Sequence, residues 1–308
     1  MCKTDAMRTI LGIGGANLDW VAKMGIPGID GASMPGQARS AVGGCCMNTM
    51  RVLAQLCPDE QLAFISARGG DFAGSQVADA IEASGITDQS AVFLDRSTPT
   101  YTAVLNHHGD VEAAVADMAL YESALPRHLR RREVRQSVAE AELLIIDANL
   151  PAETIEQTLQ GTHAFKIGLA ISAAKAERLT PAAENFDLIF LNRRELRAMT
   201  GQDDAEHLRA LGFRCAVVSD GPNPITILDE ASIAEVSVPA VPTIVDVTGA
   251  GDALAAGVIA AHIRSSDTSL ADCVRIGIHA SAAALQTHGP VPTLDWDTLV
   301  SQAKTHER

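Results

Sequence analysis

The chain has 308 residues, 47% of them hydrophobic but only 4% aromatic, and a formal net charge of −14. That length fits one large domain or two small ones, with a core mainly of Ala, Leu, Val and Ile, as in α/β proteins with buried parallel strands. The acidity argues against a nucleic-acid polymer or an acidic membrane surface as partner. The six cysteines (Cys2, Cys45, Cys46, Cys57, Cys215, Cys273) include no Cys-x-x-Cys pair, and no histidine stands at metal-ligand spacing. Neither a disulfide framework nor a zinc site is expected. There is no signal-peptide stretch and no run of 18 apolar residues, so the expected location is the cytoplasm.

In chain order, Arg8 to Gly15 reads as a buried strand ending in a glycine-rich turn. Gly12, Gly14 and Gly15 hint at a dinucleotide fingerprint, but its third glycine would fall at Asn17. No Gly-x-x-x-x-Gly-Lys-Ser/Thr loop occurs either. Asn17 and Asp19 follow the strand end, where parallel sheets present ligand-binding groups. Asp19 suits a double acceptor for sugar hydroxyls, or is a loop carboxylate in water. Residues 20–42, rich in Gly and Pro, read as strands and turns projecting from the body. Gly43-Gly44-Cys45-Cys46-Met47-Asn48 then leads into a helix over 49–56, a second place for backbone to meet a ligand; the cysteine pair reads as packing.

Strands are expected at 63–67 and 91–94, with a helix over 75–84 between them. Residues 100–105 and 111–116 flank Asn106-His107-His108-Gly109-Asp110 as a β-hairpin, a flap inserted into an otherwise alternating chain. The basic run from Arg127 to Arg135 reads as the solvated face of a helix. From Glu142, strands at 143–147, 164–171, 188–191 and 215–219 alternate with helices at 152–160, 173–179, 195–200 and 205–211. An antiparallel pair (225–228, 232–236) and two alanine-rich helices (250–263, 269–287) follow. No internal repeat, low-complexity segment or linker appears. The expectation is one α/β domain over 1–308, a doubly wound, mostly parallel sheet with a small inserted β lid from about 19–42 and 98–117, its ligands at the strand C-termini.

The stretch Val245-Asp246-Val247-Thr248-Gly249-Ala250-Gly251-Asp252 stands out within this order. Glycines flanking an alanine, directly before a helix, leave first-turn amides free for an anion and let backbone approach it closely. Asp252 is either an ordinary cap or an acid placed to take a proton from a group attacking a bound phosphate.

Asp246 to Asp252 resembles the C-terminal signature of the ribokinase-like (PfkB) family of sugar and nucleoside kinases. Gly43-Gly44 with Asn48, Gly70-Asp71 with Gly74, Asn192-Arg193-Arg194-Glu195 followed by Met199-Thr200-Gly201, and Ser219-Asp220-Gly221 resemble its other motifs in the same order. Ser97-Thr98-Pro99-Thr100-Tyr101, Gly109-Asp110, Ala116-Asp117-Met118 and Asp147-Ala148-Asn149-Leu150 are similar to the pseudouridine kinases within it.

The resemblance implies an ATP-dependent phosphotransferase acting on the 5′-hydroxyl of pseudouridine. The alternatives are a kinase of another nucleoside or a furanose sugar, and a nucleoside-binding sensor without catalysis. It implies Asp252 as general base, the amides of Gly249, Ala250 and Gly251 as anion hole, and Asn192 and Glu195 organising Mg²⁺ through water. Asn192, Ser219 and Gly221 would meet the nucleotide. Asn17, Asp19, Gly43, Gly44 and Asn48 would hold the ribose, with Thr100, Asn149 and the hairpin over the base. A monovalent cation such as K⁺ and a homodimer through the lid are implied in the same way. Two places depart from the family: Leu169-Ala170 stands where many relatives carry Asp-Pro, and Pro222-Asn223-Pro224 replaces a more glycine-rich turn.

Overall fold

The structure, a computed structural model, describes residues 7–28, 31–265 and 268–305; Cys2 lies outside them. Its first half contains β1 (Thr9–Ile13), β2 (Asn17–Met24), β3 (Gly36–Gly43), α1 (Cys45–Leu56), β4 (Gln61–Ile65), β5 (Ala67–Gly69), α2 (Phe72–Ala83), β6 (Thr87–Asp88), β7 (Ala91–Phe93), β8 (Thr100–Leu105) and β9 (Val111–Asp117). There follow α3 (Ala119–Ser123), α4 (Leu125–Leu129), α5 (Arg132–Glu140), β10 (Leu143–Asp147), α6 (Ala152–Gln160), β11 (Phe165–Leu169), a 3₁₀ helix (Ala176–Asn185), β12 (Leu188–Asn192), α7 (Arg193–Thr200), α8 (Glu206–Ala210) and β13 (Ala216–Ser219). The chain closes with β14 (Ile225–Leu228), β15 (Ile233–Val236), α9 (Ala250–Arg264), α10 (Leu270–Leu285) and α11 (Trp296–Thr305).

The main sheet runs β15-β14-β13-β12-β11-β10-β1-β4-β6, parallel from β6 to β13 and antiparallel at β14 and β15. Its inner strands bury both faces, while the edge strands β6 and β15 are largely exposed. Leu143 and Ile145 of β10 enter one core with α1, α9 and α10, while Leu144 and Ile146 enter another with α3 to α6. This is the doubly wound, mostly parallel arrangement expected from the apolar runs. The chain passes from β1 toward β4 and β6 on one side and resumes at β10 on the other. The crevice for a ligand therefore opens at the C-terminal ends of β1 and β10.

The second sheet, ordered β3-β2-β8-β9, is the lid. Asn17 and Asp19 belong to its strand β2, not to a loop, because β2 pairs from its first residue with Gly43 of β3. The helix expected from 49 begins at Cys45, where Gly44 provides a φ of 105° that turns strand into helix.

Other differences are local. The basic run does not form one helix, since Arg130 and Arg131 separate α4 from α5. The helix expected over 173–179 starts at Ala176 and is 3₁₀, with Pro181 inside it removing an amide donor. The strand expected at 91–94 is β7, paired with the short β5; β5, the two-residue β6, and helices α3 and α11 had no strong periodic signal.

Helix α9 is buried along Ala253–Ala261 and crosses α10 at a pair of glycines. A Cβ added at Gly257 would lie 2.7 Å from the Cα of Gly277, so the two backbones touch. No helix among the described residues is long and apolar enough to cross a membrane.

Candidate active site

Gly249 caps α9 with φ 80°, and a Cβ there would collide with the carbonyl of Pro290. Only glycine makes this turn. The Ala253 amide bonds the Gly249 carbonyl at 2.8 Å, closing the first helical turn. The amides of Gly251 and Asp252 precede that bond and have no acceptor within the helix. They form a small positive nest at the mouth of a cleft, whereas the Ala250 amide donates to the Val247 carbonyl at 3.4 Å.

Asp252 is partly buried beside this nest. Asn48 Nδ2 donates to its Oδ2 at 2.9 Å, from one turn into α1. Burial pushes its carboxyl up to about 6, hydrogen bonds from Cys45 and Asn48 pull it back, and the Asp147 charge adds to the rise. A carboxylate of that basicity is ionised at neutral pH and is a better proton acceptor than an exposed aspartate.

Asp19 faces the same region, and its carboxyl is also pushed up to about 6, first by burial, with the Asn17 amide opposing and the Asp252 charge adding. Asn17 Nδ2 donates to Asp19 Oδ1. A Cβ at Gly43 would collide with the Asp19 carboxylate, and one at Gly44 with the Gly15 carbonyl. The structure thus brings together Asn17, Asp19, Gly43, Gly44, Asn48 and Asp252, which the sequence scatters over more than 200 positions.

Asn149 lies on the other wall in a chain of polar contacts. Asp147, fully buried at the end of β10, accepts from the Gly15 amide at 2.8 Å, the Asn149 amide at 2.9 Å and Asn149 Nδ2 at 3.2 Å. Lys175 Nζ donates to Asn149 Oδ1 at 2.8 Å. Burial raises the Asp147 carboxyl and lowers the Lys175 ammonium. Thr100 does not join this group. Register pairs it with Leu18 and pairs Tyr101 with Asp19, so Tyr101 shares the Asp19 face of the lid and Thr100 the opposite one.

A cleft of about 280 Å³ extends from Asp252 along the ends of β11, β12 and β13, lined among others by Ala170, Ile171, Asn192, Glu195, Ser219 and Gly251. Gly221, exposed with φ 59°, shapes the turn beyond Ser219 and is not in the lining. Asn192 and Glu195 form a capping box for α7: Asn192 Oδ1 accepts from the Glu195 amide at 3.0 Å, and Glu195 Oε2 accepts from the Asn192 amide at 2.8 Å. This leaves Glu195 Oε1 as the carboxylate oxygen available to the cleft. Such a donor fits a Mg²⁺ that keeps most of its waters. Burial raises the Glu195 carboxyl, and the hydrogen bonds with Asn192 oppose that rise.

At the family departure, Leu169 and Ala170 give this wall an apolar surface. The next residue, Ile171, has φ 62° and is the one non-glycine with positive φ among the described residues. The Ser172 amide bonds the Ala170 carbonyl across it at 2.8 Å, a strained γ-turn facing the cleft.

Cys45, Lys175 and Arg39 were not singled out as site residues from the sequence. Cys45 had a signal: it stands three residues before Asn48 at a helix start, and so shares its face. Lys175 and Arg39 had none. Arg39, on the lid, reaches Asp246 at 3.2 Å, an ion pair between residues 207 positions apart.

The pattern of the family described as pfkB family carbohydrate kinase matches residues 7–297. The pseudouridine kinase of Escherichia coli is 25% identical over 285 residues, 89% of each chain. A nucleoside kinase of Methanothermobacter thermautotrophicus is 24% identical over 92% of this chain and 91% of its own. Among solved structures, a carbohydrate kinase from Agrobacterium tumefaciens superposes with a TM-score of 0.84 at 34% identity over 97% of both chains. With the acid beside its glycine nest and this match along nearly its whole length, the chain belongs to the pfkB family of sugar and nucleoside kinases.

Proposed function

We propose that this kinase uses ATP to phosphorylate the 5′-hydroxyl of pseudouridine. The observation that carries the reaction is Asp252, held by Asn48 in the first turn of α9 with its carboxyl near 6, next to the first-turn amides of Gly251 and Asp252. In this reading Asp252 accepts the hydroxyl proton as the oxygen attacks the γ-phosphorus. The bond from that phosphorus to the bridging oxygen breaks, and ADP leaves with its electron pair. The Gly249–Gly251 turn stabilises charge on the transferred group, an effect worth roughly 10²–10³ in rate per donor. Asn17, Asp19 and Asn48 orient the sugar, and Tyr101 replaces Thr100 on the face toward the base. Mg²⁺, when bound near Glu195 and Asn192, neutralises phosphate charge.

Similarity to the Escherichia coli pseudouridine kinase supports the choice of substrate. The comparable match to a nucleoside kinase favours a second reading, in which another nucleoside or a furanose sugar is the acceptor. Steady-state phosphorylation of pseudouridine, uridine, adenosine, inosine, ribose and fructose 6-phosphate separates the two. Pseudouridine is expected to have the highest kcat/KM, and faster turnover of ribose would reject the first reading. Replacing K⁺ by Na⁺ or Li⁺ in the same assay tests the monovalent cation.

The proposal includes a homodimer through the lid. Strand β9 is exposed over Val111–Asp117, and Trp20 and Val115 present apolar surface on the lid face away from Asp19. Sedimentation is expected to show a dimer that Val115→Lys converts to monomer.

A further inference from the structure

The start of α1 is pinned. Gly44 packs against Gly15 so closely that a Cβ would meet its carbonyl, and the Asn48 amide bonds the Gly44 carbonyl at 2.8 Å. Cys45 is the first residue of the helix and Asn48 the fourth, so the two project from one face. That face meets Asp252, and Cys45 and Asp252 line the same cleft. Asn48 is 4% exposed, and its Oδ1 is buried without a hydrogen-bond partner. Its amide is therefore divided: the nitrogen serves Asp252, and the oxygen awaits a donor such as the substrate hydroxyl. A carboxylate held by one donor still turns about its Cβ–Cγ bond, and a second donor removes that freedom.

We propose that Cys45 is a positioning residue for phosphoryl transfer: its thiol donates to the Asp252 carboxylate, so that Cys45 and Asn48 clamp the base between them. The inference rests on Asp252 being the general base. A thiol suits the place because it is a neutral donor and forms no ion pair that would draw the carboxylate from the substrate. Burial and the charges of Asp252 and Asp147 push the Cys45 thiol well up, so it stays protonated and a poor nucleophile where the enzyme works. The ionisable groups around the pair are Asp19 from β2, Cys46 from α1, Asp147 from β10 and Glu195 from α7. All are acids, and Lys175 reaches them only through its charge on Asp147. No cation described here substitutes for the thiol in steadying the carboxylate.

The test is kcat/KM against pH, at saturating ATP and Mg²⁺, for wild type, Cys45→Ala, Cys45→Ser and Asp252→Asn. Removing a donor to the charged form raises the pKa of the base. The alanine variant is expected to move the acidic limb up by about half to one pH unit and to approach wild-type turnover above it. Serine, which keeps a donor, is expected to restore the limb, whereas a purely structural role would lower all pH values alike. An alanine variant with an unmoved limb, or a serine variant displaced as far as alanine, overturns the role of Cys45. If Asp252→Asn is inactive in that case, the base assignment stands alone. If Asp252→Asn turns over within about tenfold of wild type, the base assignment falls and the clamp with it.

Discussion

Asn48 and Asp252 stand 204 positions apart in the chain and 2.9 Å apart in space, the amide nitrogen of the first donating to Oδ2 of the second. The contact joins the N-termini of α1 and α9, so the ends of two helices that both favour anions converge on one carboxylate and the cleft beside it.

Asp252→Asn is expected to lower kcat by roughly 10²–10⁴ while raising thermal stability at neutral pH. The wild-type carboxyl titrates higher folded than unfolded, so the stability it contributes is full below about pH 4 and lost as pH rises through about 6. An amide of the same shape avoids burying that charge. Calorimetry at pH 7.5 is expected to show a melting temperature at least about 2 °C above wild type, the gap closing by pH 4. A less stable, inactive variant would indicate that the acid serves the fold.

Asp19 and Asp252 both rise to about 6, and the Asp252 charge contributes to the rise at Asp19, so both carboxylates titrate in the same pH range. Below about pH 6, log kcat/KM is expected to fall with a slope between one and two, and Asp19→Asn is expected to reduce the slope to one. A wild-type slope of one would assign the limb to a single group.

Gly43→Ala tests how the sugar is held. The new methyl collides with the Asp19 carboxylate and not with anything in the nucleotide cleft. The acceptor KM is expected to rise at least about tenfold, a loss of ~1.4 kcal/mol, with the ATP KM unchanged.

Glu195→Gln separates capping from cation binding. A glutamine carbonyl oxygen still accepts from the Asn192 amide, so the melting temperature is expected to stay within about 2 °C. The Mg²⁺ concentration for half-maximal rate is expected to rise severalfold, since the charge is gone. An unchanged Mg²⁺ requirement would leave Glu195 a capping residue only.

The strands of the main sheet were legible because both faces are buried and the apolar runs are continuous, as in Leu143–Asp147. Gly249, Gly43 and Gly44 were legible because only glycine fits their contacts. What the sequence hid lies in register and long range. Thr100 and Tyr101 are equally plausible in sequence, and only pairing with β2 decides which shares the face of Asp19. Lys175 meets Asn149 across a crossover, and Arg39 meets Asp246 from the lid, contacts that no local period encodes. Cys45 was read as packing because its partner enters from the far end of the chain.

The glycine contact between Gly257 and Gly277 bears on how such an enzyme diversifies. Helix α9 cannot slide or tilt without driving backbone into backbone, so the acid and the nest at its tip form an anvil of fixed position. Asn17, Asp19 and Tyr101, proposed above to meet the acceptor, sit on β2 and β8, strands fastened by ladder bonds to each other and to β3, from which Arg39 reaches Asp246. Substitutions on those strands alter what is brought to the anvil without moving the anvil. Acceptor preference can drift in this scaffold while the chemistry is inherited intact.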